Sequence, residues 1–99
     1  MASLVTNEKQ PFEEVDLTFD FSNRGIADGV SIASVTSITA ALVSGTGSLV
    51  VSGTVYSGLT ASARFSGGTA GDRFKLTAKV VMSDGQKYEC DGYLKVKEL

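Results

Sequence analysis

An all-β sandwich is the fold class this sequence predicts. Three observations carry it: runs in which apolar and polar residues alternate, β-branched residues where a helix would want alanine and leucine, and glycine or serine bounding each run. At 99 residues, 42% hydrophobic and 20% charged, the chain suits one folded body around one core.

The first eleven residues, MASLVTNEKQP, show no period and end in the chain's only proline. They read as a flexible arm over 1–11, with the folded domain spanning 12–99. From Val15 to Phe21 the apolar residues Val15, Leu17, Phe19 and Phe21 alternate with Asp16, Thr18 and Asp20, as a half-buried strand requires. The turn-rich SNRGIADG follows, then VSIASVTSITAALVSG, whose β-branched content favours strand over the helical turn that residues 40–43 alone would allow. GTGSLVVSGTVYSG adds one or two short strands broken by glycine. LTASARFSGG alternates again at Leu59, Ala61, Ala63 and Phe65. About seven strands result, the usual count for a small sandwich.

The register of the last hairpin follows from composition. In FKLTAKVVM the inward set is Phe74, Leu76, Ala78, Val80 and Met82, and SDGQ makes the connection. A two-residue loop would set carboxylates on the core face. A three-residue loop of Ser83, Asp84 and Gly85, with Gly85 left-handed, instead pairs Val80 with Tyr88, Ala78 with Cys90 and Phe74 with Leu94. Lys79 then faces Glu89 on the outer side.

Composition removes most chemistry. Without histidine the serines lack their usual general base, and Cys/His metal sites have no ligands. Cys90 shares a face with Leu94 and Val96, which marks it as a small buried hydrophobe; as the only cysteine it can form no internal disulfide. The glycines of SGGTAGDRF stand before a strand, not a helix. Asp72 and Arg73 follow where a phosphate loop needs lysine and a hydroxyl, so the stretch reads as a tight corner. Asp16 and Asp20 fall on a solvent face without the dense oxygen spacing of a calcium loop. No catalytic residue, metal or cofactor is expected.

Nine basic and eleven acidic residues give a net charge of -2, too acidic for a nucleic-acid footprint. No apolar run is long enough to span a membrane, and the N-terminus lacks a signal-peptide layout. Charge is uneven along the chain, with Glu13, Glu14, Asp16 and Asp20 near the start and Arg73, Lys75, Lys79, Lys87, Lys95 and Lys97 near the end. That asymmetry raises the expectation of an ordered assembly in which acidic and basic faces meet.

Three stretches, KQPFEEVDLTFDFS, SGGTAGDRFKLTAKV and SDGQKYECDGYLKV, together resemble small virion-associated proteins of tailed bacteriophages. These are the immunoglobulin-like group called fiber-tail adaptor proteins. The matching positions are Lys9, Pro11 and Glu13, then Asp20 to Ser22, then Gly67, Gly68 and Gly71, then Ser83 with Gly85. The resemblance implies an immunoglobulin-like antiparallel β-sandwich without the paired cysteines or core tryptophan of antibody domains. It further implies a non-enzymatic structural protein of the virion, made in the host cytoplasm, that joins or decorates tail, neck or fibre components. Its expected partners are other phage structural proteins and further copies of itself, with neither nucleic acid nor membrane. Lys9, Gln10, Pro11, Phe12 and Glu13, where the arm meets the body, are the expected docking residues, and Tyr93, set among lysines on the outer face, is the second candidate. The alternative is a surface adhesion module that binds carbohydrate or a host receptor through sandwich loops.

Overall fold

Most apolar runs of this sequence alternate with polar residues, so each offers one face to a core, and the fold follows from that. The computed structural model describes residues 6–98. Among them seven strands occur: β1 Thr6–Lys9, β2 Val15–Asp20, β3 Ile32–Ser44, β4 Leu49–Ser57, β5 Thr60–Gly67, β6 Arg73–Met82 and β7 Lys87–Val96. They form a four-stranded sheet of order β1-β7-β6-β3 and a three-stranded sheet of order β2-β5-β4. No helix occurs among the described residues.

The two sheets stack through their apolar faces. Phe74, Leu76, Ala78, Val80 and Met82 from β6, with Cys90, Leu94 and Val96 from β7, meet Phe19, Phe21, Ala61, Ala63 and Phe65 from the other side, all buried. Small residues at 61, 63 and 78 leave room for the phenylalanine rings, which is how facing layers interdigitate at interior density.

The hairpin of β6 and β7 has the register read from the sequence. Val80 lies beside Tyr88, Ala78 beside Cys90, Phe74 beside Leu94 and Lys79 beside Glu89. Gly85 adopts φ 91°, its N–H donating to the Met82 carbonyl at 3.0 Å, so the loop is the three-residue kind that needs a left-handed glycine. β2 also holds its alternation, although Val15 and Leu17 are only half-buried.

One reading differs from the structure. Residues 6–9 of the expected arm pair in parallel with β7, Thr6 beside Tyr93 and Lys9 beside Val96; residues 1–5 lie outside the described residues. TNEK is polar throughout and shows no alternation. Its order comes from backbone pairing, including the Lys97 N–H to the Lys9 carbonyl at 3.0 Å, and from the buried Lys9 side chain. β4 is one strand, within the one or two expected, and its register shifts between Ser52 and Val55 where Gly53 makes a bulge.

Candidate functional site

The turn between β1 and β2 is built from Gln10, Pro11, Phe12 and Glu13. Pro11 fixes φ near the value that the second residue of a turn requires. The Glu13 N–H donates to the Gln10 carbonyl at 3.1 Å, and the Glu13 Oε1 accepts from the Gln10 N–H at 2.6 Å. From beneath, the Lys9 ammonium donates to the carbonyls of Gln10 at 2.9 Å and Pro11 at 3.3 Å. Burial lowers the Lys9 pKa from its usual value, while the carboxylates of Glu13 and Glu14 act in the opposite direction. The ammonium thus closes the turn from the protein side. At its tip Phe12 is 97% exposed.

A phenylalanine left in water on an ordered turn is unusual, because burying it elsewhere in the protein would stabilise the fold by about 2 to 3 kcal/mol. Here the turn geometry holds it outward. Of the expected docking residues, Phe12 alone is fully open; Gln10, Pro11 and Glu13 are half-buried and Lys9 is buried. The turn therefore brings five of the six expected residues together, with Lys9 in a supporting place. Tyr93 lies apart, three residues along β7 from the partner of Lys9, or about 10 Å. Nor is it as open as expected, being half-buried with the Arg73 guanidinium 5.1 Å from its ring centre.

The glycine-rich corner has a role that composition did not disclose. Asp72 is buried, and its carboxylate accepts N–H bonds from Thr69 at 2.8 Å, Thr46 at 3.0 Å and Gly47 at 3.1 Å. The Thr69 bond foremost, with those from Thr46 and Gly47, holds its pKa below the usual carboxylate value. A side chain at Gly45 or Gly47 would run into this carboxylate. The corner is an acid-centred clasp joining the β3–β4 and β5–β6 loops, and the phosphate reading fails for the reason the sequence gives: an anion already sits there.

Three of the residues that carry the charge asymmetry are paired within the chain, none of them across the two sets. Asp16 pairs with Arg64 at 2.9 Å, Glu8 with Lys97 at 2.9 Å and Asp91 with Lys75 at 3.8 Å. Cys90 is buried, and burial pushes its thiol pKa up, away from the reactive thiolate. Among the described residues no three His, Cys, Asp or Glu side chains gather as a metal-holding group. A cleft of about 450 Å³ opens between β2 and β7, floored by Leu17, Phe19, Leu76 and Cys90. On its rim Asp16 is taken by Arg64 and Asp20 accepts the Ser22 N–H at 2.9 Å.

The site reasoning missed the other exposed apolar side chains: Leu42 and Val43 on β3, and Val50, Val55 and Tyr56 on β4. The signal for them was present in the sequence as an uninterrupted absence of charge between Asp28 and Arg64.

An ordered sandwich with an apolar knob on a braced turn fits a protein that docks. No curated protein sequence matches the chain. The family model described as podophage GP4 fiber-tail adaptor protein gp77 matches residues 9–95, running from the buried lysine of β1 to the last strand. The chain therefore belongs to the podophage GP4 fiber-tail adaptor family, structural adaptor proteins of the phage tail, and is a virion component.

Proposed function

We propose that this protein joins fibres or neighbouring tail proteins to the particle by seating the β1–β2 turn, with Phe12 at its tip, in an apolar pocket of another tail protein. The carrying observation is Phe12, 97% exposed on a turn closed by the Lys9 ammonium and the Glu13 carboxylate. A pre-ordered knob loses little conformational freedom on docking, which leaves more of its burial energy for affinity. Aromatic anchors of this kind dominate interfaces, while polar neighbours such as Gln10 and Glu13 form the rim.

The same reading takes the chain as non-enzymatic, in keeping with the lack of histidine and the buried Cys90. It takes the sandwich as immunoglobulin-like, supported by a strand order in which β2, β5 and β4 make one sheet and β3, β6 and β7 the other. Synthesis in the host cytoplasm accords with a single free thiol.

The test replaces Phe12 with a photo-crosslinking phenylalanine analogue in virions. Irradiation is expected to join the chain to one tail protein. A crosslink formed instead from an analogue at Tyr93, with none from position 12, would refute the turn as the docking element.

A further inference from the structure

Charge is absent from one flank of this molecule. All nine basic and eleven acidic residues lie outside the stretch from Gly29 to Ala63, which supplies β3 and β4. Both strands are sheet edges: β3 closes the four-stranded sheet opposite β1, and β4 closes the three-stranded one. Edge strands offer unpaired N–H and C=O groups, and soluble proteins ordinarily guard them with lysine, proline or inward-pointing charge. These two have none, and they carry five exposed large apolar side chains, Leu42, Val43, Val50, Val55 and Tyr56.

The two edges are not equivalent. β4 is bulged at Gly53 and has only four regularly paired residues before the shift. The first part of β3 is covered from within, since the Tyr56 hydroxyl donates to the Ala33 carbonyl at 2.8 Å. From Ser37 to Leu42, however, β3 pairs with β6 without a shift, Ser37 beside Lys79 through Leu42 beside Phe74.

We propose that the Ser37–Leu42 edge of β3 pairs antiparallel with the same edge of a second copy, making one continuous eight-stranded sheet. A two-fold axis at Ala40 sets Ile38 against the partner's Leu42 and Thr39 against the partner's Ala41. Parity is satisfied, because Ile38, Ala40 and Leu42 all face the inter-sheet side beside Ala78, Leu76 and Phe74. Leu42, 45% exposed in the single chain, is covered by the partner's Ile38. Alanine at 40 and 41 lets the backbones approach. The absence of charge suits a second copy: the residues nearest a two-fold axis meet their own counterparts, so a charge there would face its like, and Ser37–Leu42 carries none.

Sedimentation equilibrium of the full chain tests this. The expected result is a dimer that weakens by about tenfold or more in Thr39→Lys, which sets a lysine in the seam near the partner's Lys75, and that holds in Val55→Lys, whose position faces outward on the other sheet beside Ser62. Unchanged far-UV circular dichroism and a cooperative thermal transition show that Thr39→Lys still folds. Raising the salt from about 0.05 to about 0.5 M leaves a neutral seam intact. A monomer at all concentrations, a dimer insensitive to Thr39→Lys, or one dissolved by salt would each overturn the proposal, the last by pointing to the charged faces instead.

Discussion

Replacing Phe12 with alanine separates docking from folding. Phe12 is 97% exposed and belongs to no buried cluster, so Phe12→Ala changes the unfolding free energy of the isolated protein by no more than about 0.5 kcal/mol. The same substitution removes the side chain that docking buries. Full burial of a phenylalanine contributes about 2 to 3 kcal/mol, a loss of about 30- to 150-fold in affinity for the neighbouring tail protein. Phe12→Leu keeps most of the apolar area and is expected to lose much less. The assay supplies each variant as the sole copy during phage growth and counts protein per purified particle by quantitative mass spectrometry, alongside urea unfolding of the free protein. Wild-type occupancy in Phe12→Ala particles would refute the knob. A large loss of stability would refute the premise that Phe12 stands outside the core.

Three further outcomes follow from the same structure. Lys9→Met keeps the buried stem but removes the donor to the Gln10 and Pro11 carbonyls, so the Glu13 amide should exchange hydrogen faster while global stability moves by about 1 kcal/mol or less. Asp72 has a depressed folded pKa, so its stabilisation is complete above the unfolded value of 3.8 and is lost as the pH falls through the folded one; Asp72→Asn is expected to be less stable near neutrality, the gap in urea midpoint narrowing as the pH drops from about 5 to about 2. Phe65→Ala empties a fully buried site between the sheets and should cost about 3 to 5 kcal/mol, read as a lowered urea midpoint at unchanged slope.

The elements legible in the sequence are those whose two faces differ in composition. β6 and β7 could be registered to the residue because one alignment set carboxylates in the core and the other did not. β2 and β5 followed for the same reason, Phe19 and Ala61 to Phe65 being separated by polar residues. β1 was unreadable because TNEK has no apolar face, and its strand exists only because β7 offers an edge in parallel. Asp72 was legible only as part of a tight corner. Its burial depends on Thr46 and Gly47, some 25 residues away, folding back over it, which no local pattern encodes. Phe12 was legible as a position beside Pro11 but not as a knob, since its exposure depends on what the Lys9 ammonium does underneath.

The two proposed contacts would lie where they do not compete. β1, which leads into the Phe12 turn, and β3, with its uncharged edge, are opposite edges of one four-stranded sheet. Between them the outer face carries Lys75, Lys79, Lys87 and Lys95, all exposed, so neither contact can spread across to the other without covering solvated charge. The sheet between is tied by the continuous pairing of β6 with β7 and by the acid-centred clasp at Asp72. A partner on the turn and a second copy on the edge can then be held together at a fixed offset, which is the mechanical requirement of an adaptor. With an apolar knob as one contact and a neutral backbone edge as the other, both would resist the salt that dissolves an assembly built on charged faces.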